Sequence, residues 1–114
     1  MVNHYIHLKS DVLKTIVSGE KKVIVMFGSR FCGWCRDIVK EHLNDLAIEY
    51  KDSTLVYVEC EDEKGEWHFP RSMRLLPKKP DQWPWWASFK DNKCIDTITT
   101  SAIWEVEEWL NKQK

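Results

Sequence analysis

The chain has 114 residues, 43% of them hydrophobic and 31% charged, which suits one soluble domain with a single modest core over 1–114. A formal net charge of −1 argues against nucleic acid as a general partner, and no apolar stretch approaches the roughly 18 residues of a membrane span. Residues 1–7 lack a basic and an apolar region of the secretory type, so a reducing, cytoplasmic location is expected. There, four cysteines suggest a redox or metal site before a structural disulfide framework.

In chain order, residues 5–8 read as a short edge strand. Ser10 is a candidate N-cap for a helix over 11–18, with Val12, Leu13, Ile16 and Val17 on one face and Gly19 as the stop. The run Val23-Ile24-Val25-Met26-Phe27 is short and rich in β-branched residues, which predicts a buried strand. Cys35, Ile38, Val39, His42, Leu43, Leu46, Ala47 and Tyr50 recur at helical spacing, which predicts one helix from the cysteines to about Tyr50. Residues 54–60 form a second apolar strand, and the strand-helix-strand order implies parallel pairing. Residues 61–82 break the pattern. An acidic segment is followed by Trp67-His68-Phe69-Pro70 and a basic stretch with Arg71, Arg74, Lys78 and Lys79, an irregular insertion with one short helix near 71–76. Residues 85–90 and 93–99 read as strands joined by a tight Asp91-Asn92 turn. Ser101 is expected to cap a last helix with Ile103, Val106 and Leu110 as its apolar seam.

The chemistry concentrates in Arg30-Phe31-Cys32-Gly33-Trp34-Cys35-Arg36, at the strand-to-helix turn. The first N–H groups of a helix lack intrahelical partners and carry partial positive charge, which favours a thiolate at Cys32; Arg30 and Arg36 add to that field. Cysteines in such settings can fall to a pKa of roughly 3.5–7.5. Cys35, one turn later, is placed to attack a mixed disulfide on Cys32, and the spacing permits a closable Cys32–Cys35 bridge. A zinc site is the competing reading, but it would need Cys60, Cys94, His42 or His68 to converge on the pair. Cys60 and Cys94 read more simply as ordinary buried or half-buried thiols, His42 as packed at the sheet, and the basic run as a solvated face. Trp34 sits between the cysteines, where burial is difficult, and suggests a contact surface for a partner protein.

Three segments carry a resemblance: Phe31-Cys32-Gly33-Trp34-Cys35, residues 46–50, and Trp83-Pro84 with the strand and turn that follow. Together with the order of elements, they resemble the thioredoxin-like superfamily over roughly residues 5–112. The resemblance implies an α/β thioredoxin fold, a central mixed β-sheet flanked by helices in three α/β/α layers. It implies a thiol-disulfide oxidoreductase in which Cys32 attacks and Cys35 resolves, with a redox-active Cys32–Cys35 disulfide as its only cofactor and no metal. Gly33 would keep the turn tight, Trp34 would shape the approach, and Pro84 would be a cis-proline facing the cysteines, with the Trp83 backbone docking an extended substrate segment. Implied partners are protein disulfides and either a thioredoxin-reductase-type donor or glutathione, acting on a monomer without membrane or nucleic acid. A glutaredoxin-like enzyme and a redox-inactive binding module are the alternatives. The chain departs from the pattern at Met26, where the family has a buried acid that relays a proton to the second cysteine. Glu59, Glu61, His68 or water are the candidates to replace it. Gly28 stands in place of a tryptophan at the strand end.

Overall fold

A computed structural model describes residues 5–8, 22–29, 31–60 and 82–113. Their elements are β1 (Ile6–Leu8), β2 (Lys22–Gly28), α1 (Gly33–Glu41), α2 (Leu43–Glu49), β3 (Thr54–Glu59), β4 (Trp85–Lys90), β5 (Lys93–Thr99) and α3 (Ile103–Asn111). The helix expected over 11–18 and, apart from Gln82, the insertion over 61–82 lie outside these residues.

The strands form one mixed sheet in the order β1-β3-β2-β4-β5. β1 and β2 both run parallel to β3, whereas β4 pairs antiparallel with β2 and with β5. β2 is central, which explains its unbroken apolar run: a strand covered on both faces has no solvent side for polar residues to occupy. Val23, Val25, Phe27, Val56, Val58, Trp85 and Phe89 are buried on one face. Ile24, Met26, Leu55, Tyr57 and Trp86 are buried on the other, under α1, α2 and α3. Adjacent residues of a strand point to opposite faces, so Trp85 and Trp86 fill both cores at once. The Trp86 indole N–H donates to the Thr100 carbonyl at 3.2 Å. Among the described residues, no helix is long and apolar enough to cross a membrane.

Two local expectations are corrected. The single helix to Tyr50 is divided at His42, whose backbone (φ −125°, ψ −27°) leaves the helical region. The hydrogen bonds nevertheless run through the break, from His42 N–H to Ile38 and from Leu46 N–H to His42. The buried set moves from Cys35 and Ile38 to Leu43, Leu46, Ala47 and Tyr50. At 3.6 residues per turn Leu46 still lies within about 20° of Cys35, so the apolar face continues through the break. Ser101 is not a cap. Ala102 is the N-cap of α3 without a side-chain bond, and the hydroxyl of Thr100 accepts from the Ala102 N–H at 3.0 Å.

Candidate active site

β2 ends at Gly28, and the chain turns sharply into α1. Buried Ser29 holds that turn: its hydroxyl accepts from Phe31 N–H at 3.0 Å and its carbonyl from Cys32 N–H at 3.1 Å. Cys32 is the N-cap of α1, with extended backbone (φ −89°, ψ 113°), and its Sγ accepts from the Cys35 N–H at 3.3 Å. A side chain that accepts from the third residue of a helix is the usual capping arrangement, here made by sulfur instead of oxygen. The sequence therefore places Cys32 where helix N–H groups converge.

The two cysteines have different environments. Cys32 is half-buried, whereas Cys35 is fully buried on the α-helical face of the sheet. Burial pushes the Cys35 thiol far above its ordinary range, and its hydrogen bond to Cys32 pushes in the same direction; a backbone bond to Ser29 opposes them weakly. Cys35 thus holds its proton more tightly than an ordinary thiol does. Both are free thiols.

Gly28 lies directly beneath this thiol. A Cβ on Gly28 would stand 3.0 Å from Cys35 Sγ and 3.2 Å from the Tyr57 ring. Beside it, the buried Tyr57 hydroxyl is also pushed far up, first by burial, then by Glu59 and Cys35. Met26 is fully buried and pairs with Tyr57 across β2 and β3. Of the groups considered as substitutes for the missing acid, Glu59 alone falls among the described residues. It pairs with Gly28, is half-buried, and by strand alternation shares the face of Tyr57 and Cys35. Glu61 and His68, like Arg30, lie outside the described residues.

Around Cys32, Phe31 is 57% and Trp34 66% exposed, so the nucleophile candidate sits between two open aromatic side chains. Gly33 is the first residue of α1, with open space where a Cβ would be and no left-handed backbone, so the turn does not depend on glycine there. The Trp83–Pro84 bond is cis. Trp85 pairs with Phe27, so Trp83 and Pro84 continue past the end of β2 that leads to the cysteines. Trp83 is half-buried and Pro84 buried, and Trp83 packs against both cores.

Cys60 N–H donates to the Gly28 carbonyl at 2.8 Å, which sets it next to the site, but its side chain is buried in the opposite core. Cys94 is half-buried against that same core. His42 is half-buried at the helix break. Among the described residues no three His, Cys, Asp or Glu side chains group as a metal site. Ser29, Gly28 and Tyr57 are the residues whose part in the site the sequence did not announce. A serine between a strand end and a helix start is a recognisable turn signal, but nothing local shows that Tyr57 reaches Cys35.

The fold and the cysteine pair define a class: this is the thioredoxin fold, with a Cys-Gly-Trp-Cys pair opening the helix after the central strand. The structure is similar to thioredoxin f2 in its complex with ferredoxin:thioredoxin reductase (18% identity, 96% of this chain and 94% of that one, TM-score 0.77). It is similar to Chlamydomonas reinhardtii thioredoxin f2 (21%, 96% and 96%, 0.73) and to Plasmodium falciparum thioredoxin (18%, 96% and 99%, 0.75). No family model and no curated protein sequence matches the chain.

Proposed function

We propose that the protein is a thiol-disulfide oxidoreductase that reduces or exchanges protein disulfides through Cys32 and Cys35. The observation that carries this reading is the asymmetry of the pair: Cys32 caps a helix and accepts from Cys35 N–H, while Cys35 is fully buried, which raises its thiol. Cys32, as thiolate, attacks one sulfur of a substrate disulfide and the other substrate sulfur leaves as thiolate. Cys35 then loses its proton and attacks Cys32 Sγ. The Cys32–Cys35 disulfide forms, and the second substrate thiolate leaves and is protonated. Two electrons pass from the dithiol to the substrate, and the internal disulfide is the only cofactor the cycle needs. Glu59 is our candidate to receive the Cys35 proton. Phe31 and Trp34 offer an apolar contact to a substrate protein, and the Trp83 backbone an edge for an extended segment.

The donor that restores the dithiol is assigned to the thioredoxin-reductase type. The neighbour solved with ferredoxin:thioredoxin reductase supports that choice, and glutathione is the alternative donor.

Insulin reduction driven by dithiothreitol tests the proposal. Turnover is expected to fall to the uncatalysed rate in Cys32→Ser. In Cys35→Ser, a mixed disulfide with substrate is expected to accumulate. Undiminished turnover in Cys32→Ser contradicts the assignment, and a redox-inactive binding module would keep its partner when both cysteines are replaced.

A further inference from the structure

Cys35 must lose its proton before it can attack, and it does so inside a buried, mostly apolar cluster. Two hydroxyls belong to that cluster, those of Tyr50 and Tyr57. The Tyr50 hydroxyl donates to Asn111 Oδ1 at 2.8 Å, at the C-terminal end of α3. The Tyr57 side chain stands beside the thiol. Its Cε2 and the Cys35 Sγ come within 3.2 and 3.0 Å of one point, the place of a Gly28 Cβ. Cε2 adjoins the ring carbon that bears the hydroxyl, so it is the polar end of Tyr57 that reaches the site.

The register gives the direction of the ring. Tyr57 pairs with Met26 across β2 and β3, whereas Gly28 pairs with Glu59. The ring therefore leans along the sheet, from its own row to the row of Glu59. Tyr57 and Glu59, two apart in one strand, share a face. Tyr57 is 4% exposed, and Glu59 is half-buried at the strand end. Of the charged groups that act on the Tyr57 hydroxyl, Glu59 is foremost, ahead of Cys35, Cys60 and Cys32; Met26 and Gly28, the neighbours on β2, carry no charge. A hydroxyl can accept on one side and donate on the other. Burial holds this phenol's own ionisation far above its usual range, so it stays neutral before and after.

We propose that the Tyr57 hydroxyl is the proton relay between Cys35 and Glu59. This role presupposes Cys35 as the resolving sulfur, as assigned above. As Cys35 Sγ bonds to Cys32 Sγ, its proton passes to the Tyr57 oxygen and the Tyr57 proton passes to the Glu59 carboxylate. The bond from Cys32 to the substrate sulfur breaks, and that sulfur leaves with the electron pair. Glu59 then returns its proton to water, from which the leaving thiolate is protonated. The phenol ends as it began.

Stopped-flow absorbance with one equivalent of an aromatic disulfide, in a Cys94→Ser background, separates the two steps: attack by Cys32 releases the first aromatic thiolate and closure by Cys35 the second. Tyr57→Phe keeps the ring against Cys35 and removes only the oxygen. Its first release is expected at the unaltered rate and its second about tenfold slower or more. Glu59→Gln is expected to show the same loss, and the double variant no greater loss than either alone. In Tyr57→Phe the second release is expected to accelerate from about pH 7 to 9, as hydroxide takes the proton instead, while that of the unaltered protein stays nearly level. An unslowed second release in Tyr57→Phe or in Glu59→Gln overturns the relay. So does a loss that is the same at every pH, or one that multiplies in the double variant. Those results leave Cys32 and Cys35 in their roles; a second release that persists in Cys35→Ser removes the redox reading itself.

Discussion

Cys35 has its position because Gly28 has no side chain. With Cys35 Sγ 3.0 Å from the place a Cβ would take, and the Tyr57 ring at 3.2 Å, alanine must displace one of them. Overpacking of this kind costs about 1–3 kcal/mol. Gly28→Ala is therefore expected to lower the urea midpoint by that equivalent and to slow the second chemical step more than the first, seen as accumulated mixed disulfide in quenched reactions. Gly33→Ala, with open space around it, is expected to stay within about 0.5 kcal/mol. The two glycines looked alike as letters, and the sequence pointed to Gly33 because it lies between the cysteines. The close contact under Cys35 comes from a strand and a helix meeting, which no local pattern encodes. Tyr57 was hidden for the same reason: in sequence it is one more apolar position of a strand.

Cys32 can cap α1 because β2 stops at Gly28 and Ser29 bends the chain, and this much was legible from the apolar run meeting a helical period. The break at His42 was not. No proline or glycine marks it, and the apolar spacing runs straight through it from Cys35 to Tyr50. The Asp91-Asn92 turn was readable from residue type. Its backbone takes positive φ at both positions, 50° and 71°, which asparagine and aspartate tolerate and β-branched residues do not. Asn92→Val is expected to destabilise by about 1–2 kcal/mol in urea unfolding, while Asn92→Gly leaves stability unchanged or slightly raised.

For the molecule as a whole, the buried titratable groups give stability a one-sided pH dependence. Burial raises the Cys35 thiol and the Tyr57 hydroxyl. The folded state therefore holds these protons more tightly than the unfolded state does. Their contribution is complete below the ordinary thiol value of 9.0 and is lost as pH rises above it. The urea midpoint of the reduced protein is expected to hold steady between about pH 7 and 8 and to decline from about pH 9 upward. In Cys35→Ala the decline above pH 9 becomes shallower, since only Cys94 among the raised thiols is left to start there and Tyr57 follows above its ordinary 10.0. An unchanged profile in that variant would mean that the Cys35 proton does not contribute. The same asymmetry underlies the proposed chemistry, and it is read most directly from site-resolved alkylation. The reduced protein is treated with iodoacetamide at pH 7, quenched over time, and the labelled cysteine identified by peptide mass. Half-buried, helix-capping Cys32 is expected to take the label first while Cys35 stays unmodified; equal or faster labelling of Cys35 would contradict the assignment of attacking and resolving sulfurs.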